Sequence, residues 1–166
     1  MTSILHDSLV DLARRVIEEN AAAGRRVAVA ESCTGGLVAA ALTEIAGSSD
    51  VFEGGWVTYS NQAKTAELGV SNEVLDTFGA VSIATAWAMA RGALANSTAD
   101  VAVSITGIAG PGGAVPGKPV GTVVFAKALR GGSTDDIVTD SRLFENEDRS
   151  GVRLQAALCA LELLLP

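Results

Sequence analysis

Histidine is almost absent from this chain: His6 is the only one, and it stands near the N-terminus. A hydrolase built on Ser-His-Asp or Cys-His needs an imidazole beside its nucleophile, so that chemistry is excluded. Cysteine is nearly as scarce. Cys33 and Cys159 are the only two, too few with one histidine to build a zinc site, so no metal is expected, with a carboxylate-bound magnesium left open. Two distant cysteines form no disulfide framework, which fits a reduced, cytoplasmic compartment. Basic residues are outnumbered, 12 to 19, for a net charge of −7. Such a surface repels polyanions, so nucleic acid is not an expected partner. No run of ~18 apolar residues exists to span a bilayer, and Met1 to His6 lacks a signal-type basic flank and apolar core.

What is present suits a core of small aliphatic side chains. Of 166 residues, 48% are apolar, yet only seven are aromatic (four Phe, two Trp, one Tyr), and 18 glycines are spread along the chain. No repeat, linker or low-complexity tract divides it, so residues 1–166 are expected to form one domain of ordinary size. Thr2 or Ser3 offers a cap for a first helix reaching about Ala23, with Leu5, Leu9, Leu12 and Val16 on one face and Gly24 as its stop. Val27 to Ala30 predicts a strand ending at Glu31, and a helix follows from Leu37 to Ile45. Trp56 to Tyr59 reads as a second strand. Asn61 and Ser71 each head a short helix, ending near Gly69 and Gly79, and Ser82 caps a long one over Ile83 to Ala95. Val101 to Ile105 is continuous and apolar enough to read as a central strand. Val120 to Leu129 and Ile137 to Phe144, joined at Gly131-Gly132, read as an antiparallel pair, because so short a link cannot make a crossover. A buried helix begins near Asp148 and takes in Leu154 to Leu165. The expected fold is a three-layer α/β/α sandwich with a mixed, mainly parallel sheet of about five strands.

Three strand ends carry polar residues that bear on chemistry. Ala30-Glu31-Ser32-Cys33-Thr34-Gly35-Gly36 joins a strand to a helix, where a side chain projects above the sheet and the helix amides face the same spot. Ser32 is the candidate nucleophile, those amides are candidate oxyanion donors, and Cys33 is the rival nucleophile. The plainer reading is a Ser32 or Thr34 helix cap. Trp56 to Lys64 repeats the arrangement. A lysine in the first turn of a helix faces the positive end of the dipole, which favours its neutral amine and fits it for a general base. Lys64 is one of three lysines, with Lys118 and Lys127; a solvated surface lysine is the alternative. Tyr59 is placed to support the serine or the amine. Ser104 to Gly113 forms the third strand end and opens a glycine-rich loop reaching Gly117, in which Thr106 and the loop amides offer a polar binding surface. Arg149 and Arg153, four apart, share a helix face. On the residues alone, pairing with Glu145, Glu147 and Asp148 is favoured over holding a phosphate. Gly112 to Lys118 has the spacing of a phosphate-binding loop, but Pro119 replaces the Ser or Thr that would follow its lysine, and a strand comes next.

Together these segments resemble the CinA family, specifically its C-terminal domain, which also occurs alone as nicotinamide-nucleotide amidase. The matching stretches are Ala30 to Gly36, Gly54 to Lys64, Leu68 to Val70, Gly79 to Ser82, Thr106 to Gly113 and Lys118 to Val123, in family order across nearly the whole chain. The resemblance implies hydrolysis of the carboxamide of nicotinamide mononucleotide to nicotinate mononucleotide and ammonia, within pyridine nucleotide salvage. It implies a Ser/Lys pair at Ser32 and Lys64 with Tyr59 in support, and no metal or cofactor. Thr34, Gly35, Gly36, Thr106, Gly107 and Arg149 would hold the nucleotide. The family usually has a glycine two residues before that arginine; this chain has Glu147. The competing readings are a nucleotide-binding regulatory module with little turnover and an amidase dependent on Cys33. The expected partner is a small nucleotide, with neither nucleic acid nor membrane, and a homo-oligomer is compatible with the sequence.

Overall fold

A computed structural model describes residues 3–166. Five strands form one sheet: β1 (Val27–Glu31), β2 (Phe52–Val57), β3 (Val101–Gly107), β4 (Thr122–Leu129) and β5 (Val138–Leu143), in the order β2-β1-β3-β4-β5. β1 pairs in parallel with β2 and β3, while β3–β4 and β4–β5 are antiparallel. The chain leaves β1 toward one neighbour, β2, and returns on its other side as β3. The carboxyl ends of these three parallel strands therefore share one edge, the position at which open α/β sheets bind ligands.

The helices are α1 (Asp7–Ala22), α2 (Leu37–Thr43), α3 (Asn61–Leu68), α4 (Asn72–Phe78), α5 (Ile83–Ala95) and α6 (Arg149–Leu164). The pleat sorts side chains to two faces. Val27 and Val29 of β1, Val101, Val103 and Ile105 of β3, and Val123 and Phe125 of β4 meet α1, α2 and α6. The alternate positions, Ala28, Ala30 and Ala102, meet α3, α4 and α5, and Val124, Ala126 and Ala128 meet Ala86 and Ala90 of α5. One face is thus branched and bulky, the other largely alanine, so α5 lies close against the sheet. Ser104 on that face donates its hydroxyl to Ala86 O. The result is the three-layer sandwich, with two parallel and two antiparallel pairings.

Several element ends differ from the sequence expectation. Thr2 lies outside the described residues. Ser3 Oγ accepts Leu5 N at 3.1 Å instead of capping a helix; the cap is His6, whose ring nitrogen accepts Ser8 N. β2 runs over Phe52–Val57, earlier than Trp56 to Tyr59. Gly54 and Gly55 hide the strand because they bear no side chain to alternate, yet a Cβ at Gly55 would lie 3.0 Å from Val29 Cγ2. Ser60, not Asn61, caps α3 by accepting Ala63 N at 3.0 Å. α2 stops at Thr43, before Ile45. β4 starts at Thr122, and a 3-10 turn at Thr134–Asp136 shortens β5. Among the described residues no helix is long and apolar enough to cross a membrane.

The close seating of α5 is tested at Gly92, where an added Cβ would collide with the Leu68 carbonyl at the end of α3. Helix propensity alone assigns Gly92→Ala a gain of ~1 kcal/mol. The packing predicts a loss of ~1–3 kcal/mol instead, measured by urea unfolding; a gain would show that the two helices are not in contact.

Candidate active site

Residue 31 ties the three strand ends together. Glu31 ends β1 and is fully buried. Its carboxylate turns onto the start of α2, where Oε2 accepts Gly36 N at 3.1 Å and Val38 N at 3.2 Å, and Oε1 accepts Ala39 N at 2.9 Å. Its backbone carbonyl accepts Thr58 N. The next amide, Ser32 N, donates to Ile105 O of β3. The turn between them needs the left-handed conformations of Gly35 (φ +60°) and Gly36 (φ +94°), which glycine adopts without a Cβ clash. The α2 amides expected to serve an oxyanion are thus already taken by Glu31.

Lys64 reaches into this junction from the first turn of α3. It is the largest fully buried side chain of the chain's described part, at 1% exposure. Its Nζ donates to Thr58 O at 2.6 Å and stands 2.9 Å from Ser32 Oγ. Burial pushes the amine down from 10.5 to about 8, against a small opposing pull from Cys33. A neutral amine in this place keeps its bond to Thr58 O and offers its lone pair to the Ser32 hydroxyl proton. Cys33 moves the other way. Burial raises its thiol to about 11, and the Glu31 carboxylate adds to the rise, so near neutrality it carries almost no thiolate.

Ser32, Cys33, Lys64, Tyr59, Thr106, Gly107 and Arg149 line one cleft of about 150 Å³. Thr106 donates its hydroxyl to Ala80 O at 2.7 Å. Tyr59 is 62% exposed and bonds neither Ser32 nor Lys64; its hydroxyl accepts Arg149 Nη2 at 3.0 Å. Arg149 also donates Nη1 to Gly110 O at 2.6 Å, and it borders a second, outer cleft of about 480 Å³ with Pro111, Val120, Glu147 and Ser150. Thr34, Gly35 and Gly36 do not line the reactive cleft. Thr34 is buried and its Oγ1 has no partner among the described residues, while Gly35 lies beneath Arg153. The carboxylate pairings expected for the two arginines are absent. Among the described residues the ion pairs are Arg15–Glu19, Arg26–Glu53 and Arg142–Asp140, whereas Arg153 donates to Cys33 O and Thr34 O. A larger hollow of about 830 Å³ lies beyond Val81 against Phe78, Ile83 and Trp87. Its lysine, Lys118, is bonded to Phe78 O, so it pairs no base with a nucleophile.

Glu31 and Arg153 are the residues that sequence reasoning placed least well. The signal for Glu31 was a carboxylate closing an otherwise apolar strand, six residues before a helix start. No local signal announces Arg153, because its partners lie 119 and 120 residues away.

A model of the CinA C-terminal domain family matches residues 9–166. A CinA-like protein of Akkermansia muciniphila is 54% identical over 140 residues, 84% of this chain and 33% of that protein. The chain therefore spans about a third of the CinA-like proteins it matches. Nicotinamide-nucleotide amidohydrolase PncC of Escherichia coli (strain K12) is 49% identical over 156 residues, 94% of this chain and 92% of that one. The crystal structure of competence/damage inducible protein CihA from Agrobacterium tumefaciens superposes with a TM-score of 0.92 at 48% identity, covering 98% of this chain and 97% of that one.

The buried amine predicts a pH dependence of stability. Between about 8 and 10.5 the unfolded chain binds a proton that the folded chain has released, so stability rises with pH across that window. The full contribution is about 3 kcal/mol, and the penalty for burying the charged amine is complete below the window. Chemical unfolding at a series of pH values should show this rise in the wild type and its loss in Lys64→Met. Equal slopes in the two would mean that the amine is not buried.

Proposed function

The chain belongs to the CinA C-terminal domain family, and on that premise we propose that it hydrolyses the carboxamide of nicotinamide mononucleotide, releasing ammonia and nicotinate mononucleotide. The observation that carries the reading is the buried Lys64 amine, 2.9 Å from Ser32 Oγ, in a cleft whose other ionisable groups are Cys33, Tyr59 and Arg149. The one histidine, His6, caps α1 and is not among the residues lining that cleft. The substrate is supported by the name of the Escherichia coli relative, most of whose length this chain covers.

Lys64 takes the Ser32 hydroxyl proton as Oγ bonds to the carboxamide carbon, and the carbonyl π pair moves onto oxygen. When that pair returns, the C–N bond breaks and the leaving amide nitrogen takes the proton from Lys64, departing as ammonia. The acyl ester on Ser32 then meets water, whose proton passes to Lys64 as its oxygen attacks. Collapse frees the carboxylic acid, which ionises to the carboxylate by releasing its proton to solvent, and Lys64 returns its proton to Ser32. In this pose the pyridine ring occupies the smaller cleft and the ribose phosphate the outer one. Arg149, at their junction, exchanges its bonds to Tyr59 and Gly110 for a charge-assisted contact with phosphate.

Incubation with nicotinamide mononucleotide and assay of released ammonia tests the proposal. Ser32→Ala should lower turnover at least ~10³-fold, while Cys33→Ala keeps most of it; the reverse would establish a thiol mechanism. Turnover should rise with pH through one ionisation near 8. Lys64→Arg, which cannot shed its proton near neutrality, should be nearly as inactive as Lys64→Ala. Nucleotide binding without ammonia would favour the regulatory-module reading.

The outer cleft yields a separate expectation. Arg149→Ala should raise KM for the nucleotide ~10-fold and hardly affect a substrate without phosphate. Equal effects on both would confine Arg149 to holding Tyr59 and the Gly110 loop.

A further inference from the structure

The two arginines of α6 lie one turn apart and engage different things. Arg149 lines the cleft. Arg153 does not. Its Nε donates to Cys33 O at 3.1 Å and its Nη2 to Thr34 O at 3.0 Å, and a Cβ on Gly35 would come within 3.5 Å of Nη2. Both carbonyls belong to the turn that follows Ser32 directly.

In a trans peptide the C=O and N–H point in opposite directions. Thr34 O, held by Arg153 and also by Leu37 N at 3.2 Å, therefore turns the Gly35 N–H away from α6, and it donates to Ser32 O at 3.0 Å. Accepting that bond fixes the Ser32–Cys33 peptide in its turn, so the Cys33 N–H points away from Gly35. Cys33 lines the cleft beside Ser32, and its N–H meets no oxygen acceptor among the described residues. The α2 amides are held by Glu31. Of the two turn amides without an acceptor among the described residues, those of Cys33 and Thr34, Cys33 is the one whose residue lines the cleft with the nucleophile.

We propose that Arg153 is a positioning residue for the hydrolysis inferred above: through the Thr34 and Ser32 carbonyls it aims the Cys33 N–H at the oxygen of the reacting carboxamide. The proposal rests on that reading of the site. A preorganised donor acts where charge develops in the transition state, so its loss appears in kcat and leaves substrate binding alone.

The test compares Arg153→Ala and Arg153→Lys with the wild type in ammonia release from nicotinamide mononucleotide and in the rate at which a fluorophosphonate labels Ser32. The labelling reaction also places an oxyanion against the Cys33 amide. Arg153→Ala should lower kcat and labelling ~10²-fold with KM within ~3-fold, and millimolar ethylguanidinium should restore at least ~10-fold of the lost rate. Arg153→Lys, with one compact donor group, should fall between. A variant damaged only in folding would be harmed, not rescued, by a guanidinium salt. Unchanged rates, a rise in KM instead of a fall in kcat, or a loss without rescue would each overturn the proposal. If Arg153→Ala does not fold, Arg153→Lys decides by the same criteria. A wild type that labels at Ser32 but releases no ammonia would refute the substrate, and the labelling rates would still judge Arg153. A wild type that does not label would overturn both.

Discussion

A buried carboxylate with no cationic partner among the described residues holds this structure's working edge together. Removing such a charge from water costs several kcal/mol, and Glu31 offsets that cost with three amide donors at the positive end of α2. The bonds dictate the path between strand and helix. The carboxylate must reach back over the turn, which forces two successive glycines into left-handed conformations and leaves Ser32 at the edge of the sheet. Through its carbonyl the same residue also binds the end of β2, whose next carbonyl, Thr58 O, receives the lysine. Ser32 and Lys64 are brought together by one knot of backbone.

The lysine is the opposite kind of burial. Glu31 is buried as a structural anchor, whereas Lys64 is buried at a standing cost in stability, because its charged form has lost water and gained only a carbonyl and a hydroxyl. That cost is what lowers its affinity for a proton to a value useful near neutrality. The alanine-faced side of the sheet accommodates it. With Ala28, Ala30 and Ala102 on that face, Leu68 of α3, the helix that carries the lysine, packs against the sheet. The same burial disables the neighbouring thiol, so one environment favours the serine twice.

α6 closes the site from the other side. Its two inward arginines bind backbone carbonyls from segments far apart in sequence, the turn after Ser32 and the loop after β3. Their geometry differs: Arg149 lines the cleft and bonds Gly110 O and the exposed Tyr59 hydroxyl, while Arg153 is fixed on the turn. Glu147 lines the outer cleft beside the first, and a Cβ on Gly151 would collide with its carboxylate. A negative group therefore sits over the start of α6, at the rim where a nucleotide phosphate is proposed to enter.

The sequence by itself determined the elements and their polarity. Apolar runs bounded by glycine and by Ser caps placed α4, α5 and β1 nearly to the residue, because propensity and capping act within a few positions. The three strand-end segments carrying Ser32, Lys64 and Thr106 were legible for the same reason, as was the want of histidine that points to a lysine base. Only the tertiary structure decided what depends on distance. β2 was misplaced because Gly54 and Gly55 carry no side-chain pattern and become strand through pairing with β1. Whether Lys64 was solvated or buried could not follow from α3, whose composition suits either. Nor could the partners of Arg149 and Arg153, since nearby carboxylates offered a local answer. Packing overruled it by presenting the carbonyls of Cys33, Thr34 and Gly110 to the two arginines, with the Tyr59 hydroxyl beside Arg149.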